Sequence, residues 1–98
     1  MPTLHLVRQS AFSTNDFGLC LDTTNIEDSI VFIDDGCYCI SHPLFKQFDT
    51  GNNKGIRFYI IAEHAQARAL PLNDTVKAIT MNDLVKLTFD MDNSITWQ

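Results

Sequence analysis

Hydrophobic positions along the chain change period several times, and each change marks an element. Thr3 to Val7 alternates around Leu4 and Leu6 and gives way to polar Arg8, Gln9 and Ser10, which predicts a short first strand. The spacing then turns helical. Phe17, Cys20 and Leu21 stand at i, i+3 and i+4 behind Ser13, Thr14, Asn15 and Asp16, any of which can cap a helix start, with Phe12 available as a staple residue. Asp28 to Ile33 predicts a second strand whose continuously apolar end suits burial on both faces, the habit of parallel strands.

Two exits from that strand stay open on pattern alone. Asp35-Gly36 followed by alternating Cys37, Tyr38, Cys39 and Ile40 fits a hairpin turn and a return strand. The aspartates can instead cap a short helical turn, with Ser41 or His42 opening another at Pro43, a residue favoured at the first helical position. Pro43 limits a return strand to about four residues, which weighs toward the helical exit.

Asp49 to Gly55 is dense in turn formers and predicts a surface loop. Its Lys54-Gly55 precedes a strand, whereas a phosphate-binding loop needs Gly-Lys-Ser/Thr opening a helix. Ile56 to Ala62 predicts the third strand, Glu63 to Leu70 a short alanine-rich helix ended by Pro71, and Thr75 to Ile79 the fourth strand. Thr80 with Asp83 three residues on resembles a capping box with Asp in place of Glu. Met81, Leu84, Val85 and Thr88 then follow at i, i+3, i+4 and i+7, with Leu87 widening the apolar stripe. Asp90 to Asn93 breaks that helix and Ser94 to Trp97 adds a terminal strand. Strands alternating with helices predict a single domain over residues 1–98: a small three-layer α/β/α fold with a mainly parallel sheet of about five strands. No internal repeat or linker interrupts it.

Composition narrows the function. With 98 residues and 45% hydrophobic content the chain can build one core. Twelve acidic against seven basic residues give a net charge of −5, and the basic residues are scattered, so the field repels phosphate and argues against direct nucleic-acid binding. The opening MPTLHLVRQ lacks the charged and long apolar regions of a secretory signal, and no segment approaches about 18 apolar residues. The expected setting is the cytoplasm, without membrane contact and with reduced thiols.

Chemistry-bearing residues are few. Cys37, Cys39 and His42, with Asp34 or Asp35, supply zinc-type donors, but on an α-helix the two cysteines diverge by about 200° and on a strand His42 is excluded. The second half of a structural zinc site is also missing, so no metal and no cofactor are expected. Cys-x-Cys is not the spacing of a redox helix. A helix start would lower the thiol pKa of Cys37 while Asp34 and Asp35 oppose it, and packing is the expected role. Cys20 lies on an apolar stripe and reads as a small buried hydrophobe. His5, opposite Leu4 and Leu6, is expected to satisfy a backbone group, and neither His5 nor His64 has a triad partner at a recognisable spacing.

Taken in order, these segments resemble the TusB/DsrH family of sulfur-relay subunits. Leu4-His5 and Ser10 are similar to its opening strand and loop, VFIDDGCYCI at 31 to 40 to its second strand ending in Asp-Gly, and FYIIAEHAQARAL at 58 to 70 to its third strand and Ala-Arg helix. NDLVKLTFDMDNSITW at 82 to 97 is similar to its terminal helix and final Trp. Ala11 stands where the family usually has proline, Ala69 where it has glycine after Ala-Arg, and Thr80-Met81 where it often has an acid and an aromatic residue. The resemblance favours the helical exit after Ile33. It implies a non-catalytic subunit of a cytoplasmic sulfurtransferase complex, docked with homologous small α/β subunits (TusC/TusD-like or DsrE/DsrF-like) in a heterohexamer. That complex passes persulfide sulfur to a downstream acceptor protein, ending in 2-thiolation of the tRNA wobble uridine or, in the Dsr branch, serving sulfur oxidation. Some DsrH-type members carry a cysteine where Cys20 stands, which makes Cys20 the first thiol candidate, ahead of Cys37 and Cys39. A self-contained persulfide-carrying thiol protein is the competing expectation. An exposed apolar face, to be covered by a neighbour, is expected as well.

Overall fold

The computed structural model describes residues 3–50, 55–71 and 75–97. Five strands, β1 (Thr3–Val7), β2 (Ser29–Phe32), β3 (Arg57–Ile61), β4 (Val76–Ile79) and β5 (Asn93–Trp97), form one sheet in the order β4-β3-β2-β1-β5, and every neighbouring pair is parallel. Four α-helices, α1 (Asp16–Thr23), α2 (Pro43–Thr50), α3 (Ala62–Ala67) and α4 (Met81–Asp90), make the crossovers. The first three crossovers step from β1 toward the β4 edge, while α4 carries the chain back to the opposite edge. Right-handed connections therefore place α1, α2 and α3 on one face of the sheet and α4 alone on the other.

Side-chain alternation agrees with that division. Val7, Ile30, Phe32, Phe58, Ile60 and Val76 point to the face under α1–α3 and join Phe17, Cys20, Leu21, Phe45 and Ala65 in the larger core. Phe32 is its hub, with ring centroids 5.4 Å from Phe17, 6.0 Å from Phe45 and 6.1 Å from Phe58, distances at which aromatic pairs attract. The opposite face holds a smaller cluster of Leu4, Val31, Ile61 and Ile79 under Leu84 of α4. All four β2 residues are buried, as a central parallel strand requires.

The exit from β2 is helical: a 3-10 helix covers Asp34–Ser41 and α2 follows at Pro43. No return strand is possible here, because the chain folds down over the end of β1. Ile33 N–H donates to Val7 O at 3.0 Å, and a Cβ on Gly36 would lie 1.9 Å from that same oxygen, so only glycine fits the crossing. α2 runs on through Asp49 and Thr50, two residues read above as loop. Of the remaining turn formers, residues 51–54 lie outside the described residues, and Gly55 has φ +67°, a conformation natural to glycine.

Other departures are local. Asn15 sits at the start of α1 without a side-chain cap bond, and Thr14 Oγ1 instead accepts Asp16 N–H at 3.3 Å. Phe12 is no staple: it is exposed and its ring meets His42 edge-on at 4.7 Å. At α4 both halves of the capping box form, Asp83 N–H to Thr80 Oγ1 at 3.2 Å and Thr80 N–H to Asp83 Oδ2 at 3.1 Å. The expected inward stripe of α4 is narrower than the spacing implied. Leu84 and Leu87 meet the sheet, whereas Met81 and Val85 are 48% and 51% exposed, because among the described residues no other helix lies beside α4 on its face.

α3 stops at Ala67 rather than at Leu70. Ala69 N–H bonds to Gln66 O at 3.0 Å and Leu70 N–H to Ala65 O at 3.1 Å, a Schellman closure that puts Ala69 at φ +53°. An L-residue costs about 1 kcal/mol or more in that conformation, and glycine does not. Ala69→Gly is therefore expected to raise stability by about 1 kcal/mol in urea unfolding, against the loss that glycine causes inside a helix.

Candidate functional site

The three thiols sit together in the larger core, and burial decides their chemistry. α1 turns Cys20 inward between Phe17 and Leu21, and the 3-10 helix is pressed so closely between sheet and helices that Cys37 and Cys39 are both fully buried. All three are free thiols. The Cys37 S–H points at Phe32 O, 3.7 Å away, and the Cys39 S–H at Gln9 O, 3.5 Å away. Burial pushes Cys20 up to about 12, helped by the neighbouring Cys39 and Asp28. Burial likewise pushes Cys37 up to about 11, against the pull of Arg68, and Cys39 up to about 12, against the Ala11 N–H. The opposed pulls of a helix start and two aspartates, expected above to set Cys37, are both smaller than desolvation. The thiolate is the reacting form, and at pH 7 such groups hold about one part in ten thousand of it or less.

A charged rim covers the carboxyl ends of β1, β2 and β3. Asp34, at φ +49°, receives Arg8 Nε at 3.4 Å on its carboxylate, while its backbone N–H donates to His64 Nδ1 at 3.0 Å. Arg68 reaches Asp35 Oδ1 through Nε and Nη2 at 3.1 and 3.0 Å and donates to the His64 carbonyl at 3.2 Å. Open α/β sheets bind ligands at this end, at the point where successive crossovers diverge. Here that point lies between β1 and β5, and Arg8 N–H closes it by donating to Trp97 O at 3.4 Å. His42 is turned to other work, its Nδ1 accepting Leu44 N–H at 3.0 Å at the start of α2. Among the described residues no three His, Cys, Asp or Glu side chains converge as metal ligands.

A polar group that the residue pattern did not reveal lies inside the sheet. Asp28, fully buried just before β2, accepts Thr3 N–H at 2.9 Å, Asn25 N–H at 2.9 Å and His5 Nε2 at 3.0 Å. Burial alone would raise its pKa, but these bonds outweigh it and hold the carboxyl below its ordinary value. His5, also buried, accepts Trp97 Nε1–H on Nδ1 at 3.1 Å. The expectation that His5 satisfies a backbone group is thus corrected: both ring nitrogens bond to side chains. Nothing in the spacing marked Asp28, whose partners are set by strand register.

The face behind α4 is the thinly covered one. Phe89 is 84% exposed and continues the outer stripe of Met81 and Val85. Two shallow depressions adjoin the helix over the β2–β4 part of the sheet and share Tyr59, Leu87 and Asp90, with Lys77, Asp83 and Lys86 around one and Glu27 and Arg57 around the other. This side offers an apolar ridge with charges of both signs beside it, a surface suited to docking rather than to enclosing a reactant.

Comparison with known proteins accords with this geometry. The family model described as "DsrH like protein" matches residues 9–94. The crystal structure of the ychN protein from E. coli superposes with a TM-score of 0.76 at 14% identity, covering 99% of this chain and 100% of that one, a likeness of fold. No curated protein matches by sequence. No helix among the described residues is long and apolar enough to cross a membrane.

Two outcomes follow from the buried groups. Iodoacetamide at pH 8 should label the three cysteines of the native protein at least about 100-fold more slowly than in urea, read by mass spectrometry; fast labelling of one cysteine would show an open thiol. Asp28→Asn should cost about 2 kcal/mol at pH 7 through weakened bonds to His5 and the two N–H groups. Because the native carboxyl titrates below its ordinary 3.8, its contribution is complete above that pH and lost as pH falls through the native value. Wild type and variant should therefore converge in urea midpoint once the pH has fallen below the native titration of this carboxyl.

Proposed function

The chain belongs to the DsrH-like family of DsrH/TusB-type sulfur-relay subunits, and on that premise we propose that it is an accessory subunit, one that docks and positions its sister subunits while the sulfur-carrying thiol resides on another of them. The observation that carries this reading is the placement of its sulfur atoms. All three thiols lie in the core with pKa values of about 11 to 12, while the exposed apolar side chains Met81, Val85 and Phe89 line up in one stripe on α4. A chain whose own thiols are withheld contributes through its surface. The partners in this reading are homologous small α/β subunits in a heterohexamer, and a downstream protein accepts the persulfide sulfur. The pathway ends in 2-thiolation of the tRNA wobble uridine in the cytoplasm. RNA is handled elsewhere in the relay, consistent with the net charge of −5 on this subunit.

Cys20 favours a second reading. It stands where some DsrH-type members carry a cysteine, which suits a subunit serving sulfur oxidation. In that case Cys20 is the thiol that receives sulfur, after α1 opens to expose it.

Co-purification tests the first reading. A tagged chain should bring down two small α/β companions, and deletion of its gene should abolish wobble 2-thiouridine as read by nucleoside mass spectrometry. Phe89→Asp should release the companions while changing stability by no more than about 0.5 kcal/mol, since the side chain is exposed. Recovery of the tagged chain alone, with thiolation intact in the deletion strain, would sink the proposal. Intact thiolation with companions still present would move the chain to the sulfur-oxidation branch.

A further inference from the structure

The half-buried contact between His5 and Trp97 joins the first strand to the last, 92 residues apart. An indole N–H can only donate, so His5 Nδ1 must carry no proton, and the ring proton sits on Nε2, where it donates to Asp28 Oδ2 at 3.0 Å. The tautomer is thereby fixed from both sides. Adding a second proton would place an N–H of His5 against the N–H of Trp97, where no hydrogen bond is possible. The bond to Asp28 would survive and become charge-assisted.

The two ends of this relay differ in how firmly they are held. Asp28 is anchored by two backbone N–H groups besides His5, and β2 behind it is buried along its length. β5 is an edge strand whose residues 93–96 are all exposed, and it pairs with β1 alone. The titratable groups packed around the imidazole are few. Asp28 comes from the segment before β2, and α1 supplies Cys20, which feels the Asp28 charge. β5 supplies only the non-titrating Asn93, Ile95 and Trp97 on that face, while Asp22 on α1 and Glu27 beside Asp28 are exposed. Neither α2 nor α3 is paired or bonded to His5.

We propose that His5 is a proton-operated latch on the terminal strand: neutral, it holds the Trp97 indole and closes β5 onto the sheet, and protonated, it releases the indole and frees the end of β5. The sheet interior stays intact in both states because Asp28 keeps its hold on His5. This device is independent of the sulfur-relay reading and governs the sheet edge next to β1, whatever docks there.

Trp97 is the one tryptophan of the chain, so its fluorescence reports the latch directly. Acidification of the full chain from pH 8 to pH 5 should shift Trp97 emission to longer wavelength with no change in far-UV circular dichroism. The shift should be absent in His5→Gln, which does not titrate. Wild-type nitrogen-15 NMR supplies a test that needs no variant: at pH 8 His5 should be protonated on Nε2 and bare on Nδ1. Across the same interval exchange protection of the Trp97 indole N–H should fall by about tenfold or more. Flat wild-type emission, an unchanged shift in a folded His5→Gln protein, concurrent loss of the far-UV signal, or a proton on Nδ1 at pH 8 would each overturn the latch.

Discussion

A parallel sheet has to be covered on both faces, and this chain distributes its helices unevenly between them. α1, α2, α3 and the 3-10 helix crowd one side, where Phe32 and its aromatic neighbours form a dense core. α4 lies alone on the other, over a much smaller cluster. The asymmetry follows from strand order, because three crossovers move in one direction and one moves back. Most of what the surface and the thiols do is a consequence of it. Residues on the crowded side are desolvated whatever their chemistry, and residues on the thin side are left with apolar surface that none of the described residues covers.

The thiols illustrate the first half of that statement. A cysteine becomes reactive when exposure and positive charge favour its thiolate. Cys37 has Arg68 near enough to pull its pKa down, yet it still titrates at about 11, since desolvation outweighs one partly screened guanidinium. No guanidinium offsets burial at Cys20 or Cys39; Cys39 and Asp28 raise Cys20 further, and Cys37 raises Cys39. The buried Asp28 shows the opposite balance with the same physics. Three hydrogen bonds to its ionised form exceed the burial cost and keep it charged inside the sheet.

Local periodicity carried most of the fold. Alternation in Thr3 to Val7, helical spacing from Phe17, and the Thr80–Asp83 capping box each placed an element within a residue or two, because each signal is complete within one turn or strand. Features that depend on partners far along the chain were illegible. Asp28 looked like a polar strand start, and only the register of β1 against β2 brings Thr3 and His5 to it. Trp97 could not be matched with His5 without knowing that the last strand pairs with the first. The divergence of Cys37 and Cys39 was reasoned on α-helical geometry, whereas the segment is a tighter 3-10 helix enclosed on more than one side, so both face protein. In the sequence Ala69 is marked only by standing where the similar family has glycine. Its left-handed backbone gives the physical reason that glycine suits the position.

The second half of the asymmetry bears on specificity. An exposed ridge of Met81, Val85 and Phe89 supplies apolar area that any hydrophobic partner could cover, so area alone cannot select one partner over another. Selection has to come from the flanks. There Lys77, Lys86 and Arg57 alternate with Asp83, Asp90 and Glu27 around Tyr59, charges of both signs within the two depressions beside α4. A partner presenting the complementary pattern gains beside the ridge as well as on it, while a second copy of this chain, acidic overall, meets like charge before it meets the ridge. Within the proposed assembly, the same helix that leaves the sheet under-covered therefore favours a heteromeric neighbour over self-association.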